Sequence, residues 1–179
     1  AWISAHADEF CGDSDRIQLV GHSAGAHLVA LVATDPRYLG AHGLRPSDLG
    51  GVVALDVNAY DIEYSIDHGD EHDYPAAAVN LPRVFGPDVE TWRDASPITY
   101  IDDEPLPRQL IVSAPIQTGG IVQDLSRAVS EMYVDALTRA GHDGEFYEAV
   151  GATHSALVTR LGLPDDPVGE QLEAFLNEG

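Results

Sequence analysis

The sequence predicts an α/β fold built on one parallel sheet of about four strands with helices on both faces. Strand-like and helix-like stretches alternate along the chain, which is the signature of parallel crossover units. The two clearest strands, Val52-Val53-Ala54-Leu55 and Leu110-Ile111-Val112, are continuous apolar runs rather than alternating ones, as expected of strands covered on both sides. At 179 residues and 44% hydrophobic, the chain suits one domain, 1–179, with a sizeable core.

The elements follow in order from their periodicity and their stop signals. Residues 1–11 read as a helix ending at Cys11-Gly12, residues 16–21 as a strand around Ile17-Gln18-Leu19-Val20, and residues 23–34 as a helix. A second strand spans 51–57. Residues 58–107 form an irregular, cap-like insert, because Pro75, Pro82, Pro87, Pro97, Pro105 and Pro107 allow only short helical pieces. A stretch this long inside a compact domain is usually functional or mobile. A strand at 109–114, a helix at 122–140, a strand at 145–150 and a helical region at 154–178 complete the chain. No internal repeat or low-complexity tract interrupts it.

Composition narrows the class of partner. Thirty acidic residues face nine arginines and no lysine, for a net charge of -21. A phosphate backbone needs a basic surface, so nucleic acid is excluded. The lysine-free, Asp-rich surface reads as that of a salt-adapted protein, since self-repulsion of this size is relieved by screening. A single cysteine, Cys11, precludes an internal disulfide and reads as a structural thiol. No run of about 18 apolar residues marks a membrane span. The chain reads as cytoplasmic, with secretion left open because its start looks truncated.

Gly21-His22-Ser23-Ala24-Gly25 is a G-x-S-x-G motif set between a predicted strand and a predicted helix, the context in which such a serine is a nucleophile on a sharp turn. Gly21 and Gly25 are expected to supply the small side chains that this turn needs. Ser23 requires a base and an acid to orient that base, in the chain order serine, acid, histidine. Of eight histidines, His154 is best placed, just after the last strand in Val150-Gly151-Ala152-Thr153-His154-Ser155, where a loop at the carboxyl end of the sheet brings an imidazole over Ser23. His22 and His27 flank the elbow and read as packing or capping residues.

For the acid, three arrangements stay open. Asp124 is the first carboxylate after the strand 109–114, and fits both the acid and the N-cap of the following helix. Asp61, beyond the preceding strand, is the alternative acid. In the third arrangement there is no acid, and Gln117 stands where one is expected. His68-Gly69-Asp70-Glu71-His72-Asp73 offers metal-ligand side chains, but its glycine and unbroken polarity argue against a rigid helix aiming both rings at one ion, so it reads as a solvated acidic loop.

The octet Gly21-His22-Ser23-Ala24-Gly25-Ala26-His27-Leu28, with Tyr60-Asp61-Ile62, Ala95-Ser96-Pro97 and the late His154, resembles the C-terminal half of an α/β-hydrolase of the kynurenine formamidase and carboxylesterase group. The resemblance implies an α/β-hydrolase-like sheet lacking its first four strands or so, and no metal or organic cofactor. It implies a serine hydrolase of carboxylic esters, with arylformamidase as the alternative and a non-catalytic assembly or binding module as the rival. The substrate is then a small ester or formamide. The His-Gly-Gly segment that supplies oxyanion-hole amides in relatives is absent from this sequence, so the Ala24 N–H is the one recognisable oxyanion donor. The bare edge of the first strand further implies a homo-oligomer.

Overall fold

The computed structural model describes residues 1–102, 105–116 and 124–178. Four strands, β1 (Gln18–His22), β2 (Gly51–Leu55), β3 (Gln109–Ser113) and β4 (Gly144–Glu148), form one sheet in the order β1-β2-β3-β4. Every neighbouring pair is parallel, with Val20 opposite Val53 and Leu55 opposite Val112. The predicted strand count and sense therefore hold. β2 and β3 are buried at every position, as their unbroken apolar runs require.

Helices cover both faces. α1 (Trp2–His6) precedes β1; α2 (Ala24–Thr34) and α3 (Pro36–Gly40) follow it; α4 (Ile62–His68), α5 (Ala77–Phe85) and α6 (Val89–Asp94) occupy the insert; α7 (Leu125–Arg139) precedes β4; α8 (Ala156–Thr159) and α9 (Pro167–Asn177) close the chain. On one face Ala26 and Ala30 of α2 and Val129, Tyr133 and Leu137 of α7 pack with Ala54, Ile111 and the insert residues Tyr60 and Ile62. Alanines on both α2 and β2 let helix and sheet approach closely. On the other face Val53, Leu55, Leu110 and Val112 meet Leu157, Val168, Leu172 and Phe175.

Two predicted helices are shorter than expected. The first ends at His6 and passes into a 3-10 turn, Ala7–Phe10, because Cys11 adopts a left-handed backbone. The last splits into α8 and α9, since Gly162 and Asp165 are left-handed and Pro164 and Pro167 cannot donate to a helical ladder. Asp166 restarts the helix, its carboxylate accepting from the N–H groups of Val168 and Gly169.

β1 lies at one edge. Val20 shares a face with Val53 but, on this edge strand, remains 48% exposed. No helix among the described residues is long and apolar enough to cross a membrane.

Candidate active site

Three loops meet at the carboxyl ends of the strands, where parallel α/β sheets place their ligands. The first leaves β1. Ser23 has φ 57 and ψ -124, a strained conformation for a residue with a side chain, and its N–H still reaches the Leu55 carbonyl of β2 at 2.9 Å. The turn is therefore anchored to the sheet while the serine side chain stays partly exposed and caps nothing. Gly21 makes this possible: a Cβ there would lie 2.2 Å from the Gly25 carbonyl oxygen and 2.9 Å from the Ala26 nitrogen. Gly25 differs from the expectation. A Cβ on it would meet nothing within 4 Å, because its side of α2 is open, so only the first glycine is sterically required. Ala24 begins α2, where N–H groups lack intrahelical acceptors.

The second loop leaves β2. Asp56 keeps the ladder going by one bond, its N–H to the Val112 carbonyl at 2.7 Å, then turns left-handed at φ 55. Aspartate tolerates that region better than most residues. Its side chain is 1% exposed.

The third loop leaves β4 and carries His154. Its N–H donates to the Ile116 carbonyl at 2.7 Å beside a parallel bridge between Ile116 and Thr153, which holds the loop against the strand end. His22, next to Ser23, reaches the same loop: its Nε2 donates to the His154 carbonyl at 2.9 Å, and the two rings lie 4.4 Å apart. The expected packing role of His22 is thus a specific tie between elbow and histidine loop.

These loops bring His154 to Asp56. Nδ1 of His154 donates to Asp56 Oδ2 at 2.6 Å, which takes up one of the two ring nitrogens. The Asp56 carboxylate also accepts from the Ala114 N–H at 3.1 Å and from the Ser126 hydroxyl of α7.

Asp124 is not the partner of His154. It stands at the N-cap position of α7 without capping it, and its 43% exposed carboxylate joins His72 Nδ1 at 3.0 Å and Arg127 at 3.0 Å. Asp61 caps α4 by accepting from the Tyr64 N–H. Gln117 lies outside the described residues. Asp56 escapes the sequence reading because a strand predicted over 51–57 places Asp56 inside it. The signal that marks it is a carboxylate closing an all-buried parallel strand next to the elbow strand.

His72 differs from the solvated loop expected of residues 68–73. Its Nε2 accepts from the Tyr64 hydroxyl at 3.0 Å while Nδ1 binds Asp124, so the ring joins the insert to α7. Among the described residues no three His, Cys, Asp or Glu side chains are arranged to hold a metal ion. His27 sits one turn beyond Ser23, its Nε2 donating to the Ala95 carbonyl at 2.7 Å and its ring edge-on to Phe85. Burial holds its pKa below the ordinary imidazole value, and the Ala95 carbonyl opposes that only in part.

Comparison with known proteins shows what the chain is similar to. The chain is 29% identical, over an alignment of 179 residues, to the probable carboxylic ester hydrolase LipM of Mycobacterium tuberculosis, covering 92% of this chain and 41% of that protein. The propionate-bound esterase Est2 of Thermogutta terrifontis superposes with TM-score 0.67 at 21% identity, covering 99% of this chain and 61% of that one. The same esterase phosphoramylated by tabun superposes with TM-score 0.67 at 19% identity, covering 99% and 60%. This chain thus spans less than two thirds of the length of the proteins it matches, and the structural likeness establishes the α/β-hydrolase fold. The protein-family model BD-FAE matches residues 1–114, well over half the chain and the part that holds both Ser23 and Asp56, and the chain belongs to the BD-FAE family.

Proposed function

We propose that this protein is a serine hydrolase that cleaves carboxylic esters through an acyl-enzyme. The observation that carries the reading is the Asp56–His154 pair set beside a strained serine at the adjacent strand end. Ser23 Oγ attacks the ester carbonyl while His154 Nε2 takes its proton, and Asp56 stabilises the imidazolium that forms. The Ala24 N–H donates to the oxyanion. His154 returns the proton to the departing alcohol, and water then repeats the sequence to free the acid from Ser23. Tabun's capture of a structural neighbour supports an esterase reading for this fold.

A fluorophosphonate probe tests it. Ser23 is expected to be labelled in the wild type, and Ser23→Ala is expected to lose both labelling and p-nitrophenyl ester turnover while its circular dichroism stays unchanged. Folded wild type that resists the probe returns the chain to the rival reading of a non-catalytic binding or assembly module. The elbow octet also supports arylformamidase, which uses the same acyl transfer on an N-formyl amide. An ester chain-length series run beside N-formylkynurenine separates the two. The half-exposed Val20 on the β1 edge supports self-association of copies, and the net charge of -21 supports adaptation to salt.

A further inference from the structure

Ser126 lies on the first turn of α7 and is 3% exposed. Its hydroxyl donates to Asp56 Oδ1, the oxygen that also accepts from the Ala114 N–H at 3.1 Å. Among the described residues, a donor on α7 and one at the end of β3 meet on this one oxygen of the carboxylate. The other oxygen accepts from His154 Nδ1 at 2.6 Å. A carboxylate this buried is costly unless its lone pairs are met, so a donor that faces it helps to hold it in place. The N-terminal turn of α7 adds a favourable dipole at the same place.

We propose that Ser126 is a positioning residue: its hydroxyl fixes the rotation of the Asp56 carboxylate so that Oδ2 faces His154. The inference rests on the reading of Ser23, His154 and Asp56 as a triad, but its geometric claim concerns Asp56 and His154 alone. Without the hydroxyl, Oδ1 loses its donor from α7, the carboxylate is held less firmly about its Cβ–Cγ bond, and the bond to His154 lengthens. The imidazole then loses its orientation and part of the charge that stabilises its protonated form.

The test compares Ser126→Ala with Ser126→Thr, which keeps the hydroxyl, and with Ser130→Ala, which removes a neighbouring buried hydroxyl that has no partner among the described residues. Steady-state kinetics on a p-nitrophenyl ester are read beside the proton spectrum of His154, whose Nδ1 proton is strongly deshielded when held by a carboxylate. Ser126→Ala is expected to lower kcat roughly 10- to 100-fold, the range of a hydrogen bond to a charged group, with KM unchanged. The deshielded resonance is expected to move upfield. Ser126→Thr should keep both readouts at their wild-type values, and Ser130→Ala should change neither. If Ser126→Ala does not fold, Ser126→Cys, a weak donor of similar volume, is read in the same way. A Ser126→Ala protein with wild-type kcat and an unmoved resonance overturns the proposal. Should Ser23→Ala retain turnover, the triad reading fails, while the resonance still decides whether Ser126 aligns Asp56.

Discussion

Asp56 holds a carboxylate at 1% exposure on left-handed backbone, and among the described residues its burial is met by hydrogen bonds from Ser126, Ala114 and His154. Asp56→Asn is expected to lower kcat by about 10,000-fold, the loss seen when a triad aspartate becomes an amide and the histidine takes the wrong tautomer. Asp124→Asn, which only loosens the contacts to His72 and Arg127, should change kcat little. Ester kinetics on the two variants decide between the carboxylates. His27 supports a prediction on stability. Its native pKa lies below the ordinary 6.5, so on acidification the unfolded chain binds a proton that the folded chain resists. The stabilisation that neutral His27 gives is therefore present above 6.5 and is lost as pH falls toward the native value. The melting-temperature gap between wild type and His27→Gln should narrow from about pH 7.5 to about pH 5.5, and the comparison cancels the general loss of negative charge.

At the scale of elements, polar anchors add to the apolar core that the insert shares with α2 and β2. His27 ties α2 to Ala95, and His72 ties the turn after α4 to the start of α7. Arg37 of α3 clasps the fully buried Asp35 carboxylate through Nε and Nη2, and also reaches Asp94 and the Tyr100 hydroxyl in the insert. Removing its side chain leaves that buried carboxylate, among the described residues, with a backbone donor alone. Arg37→Ala should cost about 2 kcal/mol, equivalent to a fall in Tm of about 4 to 8 °C for a chain of this size. Hydrogen exchange at residues 94–100 should rise with it. Arg45→Ala, which breaks an exposed pair with Asp48, should leave Tm nearly unchanged. Equal effects of the two variants would show that Arg37 is no anchor.

At the scale of the whole molecule, thirty carboxylates share nine arginines, and most of the negative charge has no cation to meet. Melting temperature should rise from low salt to about 1 M KCl, as the screening length falls from tens of ångströms to about 3 Å. A flat response would refute salt adaptation. The same charge opposes self-association, so the β1 edge is best tested where repulsion is screened. Analytical ultracentrifugation in molar KCl is expected to show a species of twice the monomer mass, returned to monomer by Val20→Lys. Monomer alone across micromolar concentrations would show that the edge does not pair copies of this chain.

Continuous apolar runs set between helix-like stretches are enough to predict a four-stranded parallel sheet covered on both faces, because burial on two sides writes itself into every position of β2 and β3. The elbow is legible for a similar reason: Gly21 answers a backbone contact only four residues away, a local constraint that a motif can carry. His154 stands out by its place after the last strand. The identity of its carboxylate does not. Asp56 and His154 are 98 residues apart, and they meet only because β2 lies two strands from β4, a left-handed turn follows Leu55, and the Ile116–Thr153 bridge seats the histidine loop. Asp124 has the right residue type and chain order, yet its helix start faces His72 rather than His154. Periodicity records which side of an element is buried; which polar side chains meet across the ends of strands is decided by register and turn geometry, which exist only once the sheet has formed.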